Sequence, residues 1–170
     1  NIINNANFDF MNAYFQNEEI TTILHNHLTN NMKNIIDKNP YKERYNNNND
    51  IFLHIRLTDA KKWNVGIDYY IHCINSLKYD NIYIGSDNFN DQLINKLKTL
   101  YPSVILINKN PIETIQFGST CKNIILSHGS FSAVIGYLGF FSNVYFMNKI
   151  YKWCPLGIFM NKGFIPISLK

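Results

Sequence analysis

An α/β fold, a parallel sheet with crossover helices, is the prediction from this sequence, and three observations carry it. Short apolar runs recur at 51–56, 81–85, 103–107, 123–127 and 143–147. Stretches with helical spacing separate them, near 67–77, 89–100, 112–120 and 131–140. The strand–helix unit returns about every twenty residues, as repeated βαβ crossovers require. A chain of 170 residues suits one well-buried domain. The expected organisation is a helical lead-in and polar loop over 1–50, then a Rossmann-like domain of about five strands over 51–170.

Residues 1–16 carry Phe8, Phe10, Tyr14 and Phe15 without clear periodicity. From Glu18 the pattern changes: Ile20, Ile23, Leu24, His27, Leu28, Met32, Ile35 and Ile36 recur at three- and four-residue spacing, which predicts one amphipathic helix. Glu18 and Glu19 complement its dipole, and Asn39-Pro40 ends it. His25 and His27 lie two apart, so they do not share a helical face as a metal pair would. Residues 40–50, with an unbroken Asn46–Asn49 run, read as a surface loop.

Ile51 to Asp59 reads Ile-Phe-Leu-His-Ile-Arg-Leu-Thr-Asp, a buried strand that delivers His54 and Arg56 at its end and Thr58 and Asp59 at the turn. Later helices have Asp68, Asp87-Asn88 and Ser130 where caps are expected.

Composition narrows the function. Hydrophobic residues make up 46% and charged residues 16%, which marks a folded core rather than a disordered polymer. The net charge of +4 is scattered rather than striped, which suits an anionic small ligand at least as well as nucleic acid. Cys73, Cys121 and Cys154 are odd in number and show no Cys-x-x-Cys spacing, so neither a disulfide framework nor a structural zinc is expected. That usage, with no Asn-x-Ser/Thr acceptor, points to a reducing, cytoplasmic setting. No stretch reads as a signal peptide or membrane span. The sequence begins at Asn1, which leaves room for an upstream anchor or domain.

In an open α/β sheet, ligands collect outside the carboxyl ends of the strands. Here that edge gathers three loops. The first carries His54, Arg56, Thr58 and Asp59; the second Gly85-Ser86-Asp87-Asn88; the fourth Ser127-His128-Gly129-Ser130-Phe131-Ser132, running directly into a helix. Arginine suits phosphate because its planar fork gives two parallel hydrogen bonds, and a helix N-terminus offers free N–H groups. The competing reading is structural: His54 satisfied in the core, Arg56 paired to Asp59, Ser130 a simple cap. No Gly-x-Gly-x-x-Gly follows the first strand, and neither a P-loop nor a Gly-x-Ser-x-Gly elbow is present. His54, His72 and His128 fall on different elements without metal-ligand spacing.

The fragment His54-Ile55-Arg56-Leu57-Thr58-Asp59 resembles the His-x-Arg-Arg-x-Asp motif of the α-1,2-, α-1,6- and protein O-fucosyltransferase superfamily. Val65–Leu77, Ile82–Asn88 and Cys121–Ser132 with Gly136-Tyr137-Leu138 are similar, in order, to segments of family-11 α-1,2-fucosyltransferases; Ala13-Tyr14-Phe15-Gln16 resembles a segment upstream. The resemblance implies the donor-binding half of a GT-B-like, metal-independent enzyme. Such an enzyme takes fucose from GDP-fucose to a glycan hydroxyl with inversion, without a further cofactor, and an upstream half binds the acceptor. It implies that Arg56 meets the donor β-phosphate, with Asp59 orienting it or acting as base. His54, Thr58, Ser86, Asp87, His128, Gly129, Ser130, Phe131 and Ser132 would neighbour the donor. Leu57 departs from the pattern, since many relatives have a second arginine there, and the glycine-rich acceptor-half segment has no counterpart in these residues.

Overall fold

The computed structural model describes residues 18–59, 61–149, 156–159 and 163–169. The Phe8–Phe15 aromatics, the Ala13–Gln16 segment and Cys154 lie outside the described residues.

Among the described residues, six parallel strands form the sheet: β1 (Ile51–Ile55), β2 (Ile82–Ser86), β3 (Ile105–Leu106), β4 (Asn123–Ile125), β5 (Asn143–Met147) and β6 (Phe164–Ile167). Their order across the sheet is β3-β2-β1-β4-β5-β6. This is the doubly wound Rossmann-like arrangement, whose direction of winding reverses between β1 and β4. The α/β fold is as the sequence predicts, with one strand more. Strand β6 escaped the sequence reading because Pro166 lies inside it, and a proline cannot donate to a ladder. As the sheet's edge, β6 needs to pair only with β5, so the missing N–H is tolerated.

Helices α3 (Ile67–Asn75) and α4 (Gln92–Leu100) cover one face of the sheet, and α5 (Pro111–Gly118) and α6 (Ser130–Tyr137) the other. On the first face Ile51, Leu53 and Ile55 pack with Ile82, Ile84, Tyr69, Tyr70, Ile94 and Leu97. On the second, Phe52 packs with Phe117, Ile124, Leu126, Ile135 and Val144. Every residue of β1 is buried, which accounts for a run that is apolar at every position but His54. Gly85 and Gly118 leave room for the Phe52 ring between strand and helix, because a Cβ at either would come within 2.7 Å of it.

The lead-in departs from its expected form. The single helix is divided into α1 (Glu18–Asn30) and α2 (Met32–Asp37), with Asn31 at the joint donating from its side chain to His27 O at 2.8 Å. Ile23 and Leu24 remain exposed, and Thr21 is the buried residue of α1. Segment 39–50 is more than a polar loop. The Arg44 guanidinium pairs with buried Asp50 at 2.8 Å, donates to Thr120 Oγ1 and lies 4.5 Å from the Phe117 ring centroid. Asn48 and Tyr45 bond to the α5–β4 connection and to Leu138 O.

The caps also differ. Asp91 caps α4 by accepting from Leu93 N, and Asn110 caps α5 by accepting from Glu113 N. Gly66 and Gly129, both at positive φ, precede α3 and α6, where Asp68 and Ser130 fall inside the first turn. Asp87 is committed elsewhere, to the loop after β1.

Candidate functional site

The site begins with a divergence of strands. β1 pairs with β4 from Ile51 to Leu53, and with β2 through to Ile55. Beyond Leu53 the two central strands part at the carboxyl edge, at the point where the winding reverses. A long contact, Arg56 N–H to Ser127 Oγ at 3.4 Å, bridges the gap. Into this opening the ends of β1 and β2, the loops after β1, β2 and β3, and the starts of α5 and α6 bring His54, Arg56, Thr58, Asp59, Ser86, Asp87, Phe131, Lys109, Pro111 and Thr114. They line a cleft of about 530 Å³.

The loop after β1 is held from below by Asp87. One carboxylate oxygen accepts from Leu57 N at 2.6 Å, and the other accepts from Thr58 N at 3.3 Å and from Thr58 Oγ1 at 2.5 Å. Asn64 closes the far side, donating to Arg56 O at 3.1 Å and accepting from Gly66 N at 2.9 Å. Lys61, 2.5 Å from Asp91, ties the same loop to the start of α4, and the Lys62 ammonium lies over the Trp63 ring.

Arg56 is set by Asp59. Its Nε and Nη2 donate to Asp59 Oδ1 at 3.2 and 2.9 Å, and Nη2 also donates to Oδ2 at 2.9 Å. The structural pairing expected as the competing reading is therefore present. It occupies the Nε side of the guanidinium and leaves Nη1 for another anion, so pairing and ligand binding are compatible. With 29% of the Arg56 side chain and 70% of the Asp59 side chain exposed, the pair is a positioning device rather than a large source of stability.

His54 is 5% exposed and bonds through Nδ1 to Ser132 Oγ at 2.5 Å, while Phe131 lies 5.0 Å from it, ring to ring. Burial lowers its pKa to about 4 against the opposing pull of Asp87, with Arg56 and His128 adding to the lowering. His54 is thus a neutral wall of the cleft at pH 7, positioned by Ser132.

The structure brings together at the cleft seven of the residues singled out in the sequence: His54, Arg56, Thr58, Asp59, Ser86, Asp87 and Phe131. Ser132 lies behind them, fully buried under His54. His128 and Gly129 are buried beside this edge, and Ser130 is exposed as the first residue of α6; none of the three is among the lining residues. Lys109, Pro111 and Thr114 are the additions. The available signal was positional, since every loop after a parallel strand reaches the same edge, including the loop after β3. Leu57 is 3% exposed and packs in the core below α3 and α4, so its side chain is not part of the cleft wall.

Among the described residues, no group of three or more His, Cys, Asp or Glu is placed to hold a metal ion, and no helix is long and apolar enough to cross a membrane.

No protein-family model and no curated protein matches the sequence. Solved structures similar to part of the chain include the α-1,6-fucosyltransferase NodZ soaked with GDP-fucose, at 17% identity over 63% of this chain and 41% of that one, TM-score 0.41. NodZ co-crystallised with GDP is similar at 17% identity over 67% and 42%, TM-score 0.44. The fucosyltransferase NodZ from Bradyrhizobium is similar at 17% identity over 66% and 42%, TM-score 0.41. These are α-1,6 enzymes, whereas the motifs in the sequence resemble the α-1,2 enzymes of family 11. The chain spans about two fifths of the length of each, so the likeness is one of partial chain trace.

Proposed function

We propose that this cleft binds a nucleotide sugar, GDP-fucose, and that the chain is the donor-binding half of an inverting, metal-independent fucosyltransferase acting on a glycan hydroxyl. The observation that carries the reading is Arg56, fixed by Asp59 with Nη1 uncommitted, in a cleft at the switch point of a parallel sheet. The order of the fucosyltransferase-like segments along the sequence supports the choice of guanosine and fucose.

In such a transfer the acceptor oxygen attacks the anomeric carbon as the bond from that carbon to the diphosphate oxygen breaks. The electron pair leaves with GDP, and the acceptor's proton goes to a base. Arg56 acts where negative charge grows, on the departing phosphate; removing one preorganised donor of this kind costs roughly 10²–10³ in rate. Asp59 and Thr58 keep it in place, and neutral His54 lines the cleft without adding charge. Phe131 meets the donor from the β4–α6 side, and Ser132 behind it positions His54.

A second reading has its own observation. Both carboxylates lining the cleft are already engaged, Asp59 by Arg56 and Asp87 by the backbone of the loop after β1. The chain by itself is then a donor-binding module, and transfer needs a base from an acceptor-binding partner domain.

Calorimetric titration with GDP, GDP-fucose and UDP tests the binding. GDP and GDP-fucose should bind the native protein more tightly than UDP, and Arg56→Ala should weaken both by about tenfold or more. Absence of binding by either guanosine compound would sink the nucleotide-sugar reading. Release of labelled fucose from GDP-fucose then separates enzyme from binding module.

A further inference from the structure

The cleft has a second cation that the motif-bearing segments do not contain. Lys109 follows β3 and lines the cleft together with Pro111 and Thr114, two strands along the sheet from the loop after β1. Its backbone is held: Thr114 Oγ1 donates to Lys109 O at 3.3 Å, and the next residue, Asn110, caps α5. Its ammonium rests 5.8 Å from the Tyr41 ring centroid and remains exposed.

Charge makes the case for a role. Four charged side chains line the cleft: Arg56 and Lys109 against Asp59 and Asp87. Asp59 offsets Arg56, and Asp87 remains as a negative charge under the loop. A diphosphate adds at least two further negative charges at neutral pH, and Arg56 alone does not balance them. Position 57, where the motif has a second arginine, faces the core here and gives the cleft no charge. Lysine on a flexible four-carbon stem suits a contact that forms only when the anion arrives.

We propose that Lys109 is a donor-binding residue that contacts the terminal phosphate of the bound diphosphate from the β3 side of the cleft, together with Arg56. This rests on the diphosphate part of the function proposed above. Tyr41, from the lead-in, lies beside the Lys109 ammonium, which makes the lead-in a contributor to the site.

The test is calorimetric titration of native protein, Lys109→Ala, Lys109→Arg and, as an off-site control, Lys98→Ala, with pyrophosphate, GDP and GMP. Lys109→Ala should weaken GDP and pyrophosphate about tenfold and GMP less than about twofold, as expected for losing one charge-assisted bond to the second phosphate. Lys109→Arg should recover most of the loss, Lys98→Ala should match the native protein, and added salt should narrow the gap between native and Lys109→Ala. If native protein binds GDP and Lys109→Ala binds it equally well, Lys109 has no such role and the cleft's function stands. An equal loss for GMP and GDP overturns the assignment to the terminal phosphate. If native protein binds neither GDP nor pyrophosphate, the diphosphate reading fails and Lys109's role fails with it.

Discussion

At the residue scale, His54 is where a titrating group would be expected to greet an anion, and its surroundings prevent it from charging. The ring is closed in by Phe131, Ser132 and the strands on either side, and burial takes its pKa from 6.5 to about 4. Between those two values the unfolded chain binds a proton that the folded chain refuses, so stability falls as pH drops through that window. The loss is roughly 3 kcal/mol by pH 4 and levels off below it, with almost none expected above pH 7. Urea denaturation of native protein and His54→Gln at pH 7, 5.5 and 4.5 checks this. The native protein should lose more stability on acidification than the variant does, and parallel pH profiles would show that His54 titrates normally. The same neutrality means that ligand binding near pH 7 should not follow the titration of His54, which leaves Arg56 and Lys109 as the cations of the cleft.

At the element scale, the segment between α2 and β1 shows how much a polar sequence can hide. Asn48 uses its whole hydrogen-bonding capacity: its amide donates to Arg44 O at 2.6 Å and Thr120 O at 2.9 Å, and its carbonyl accepts from Asp50 N and Lys122 N, both at 3.1 Å. That one side chain staples the lead-in to the start of β4. Asn48→Ala should cost about 2–3 kcal/mol, since it leaves several half-buried backbone groups unpaired, whereas Asn47→Ala should change stability by less than about 0.5 kcal/mol. Urea midpoints at unchanged slope are the measurement, and equal midpoints for the two variants would contradict the stapling role. Within the Asn46–Asn49 run nothing distinguishes position 48, because two of its four partners lie 72 and 74 residues further on. By contrast β1 to β5 were all legible as apolar runs, and Arg56 as a cation at a strand's carboxyl end. Lys109 was not, because a lysine after a two-residue edge strand looks like any other surface lysine until the sheet order places it.

At the scale of the whole molecule, the sheet order makes the site's floor its most constrained part. β1 has a neighbour on each side and no exposed residue, whereas β3 consists of two residues at one edge, with Ile105 43% exposed. Local opening is governed by buried apolar contacts and backbone bonds shielded from water, so resistance to opening should fall outward from β1. Two walls of the cleft then differ in character. The Arg56 wall grows directly from β1 and is held by Asp87; the Lys109 wall hangs from the weaker edge. Amide hydrogen exchange resolves this: Phe52–Ile55 should exchange slowest, near the rate of global unfolding, and Leu106–Lys109 markedly faster. Saturating GDP should slow exchange more at residues 106–109 than in β1, because a ligand gripping both walls adds most to the one with least stability of its own. Equal protection of β1 and β3 without ligand would contradict the graded sheet. Protection by GDP confined to residues 56–59 would mean that the ligand is held from the β1 side alone.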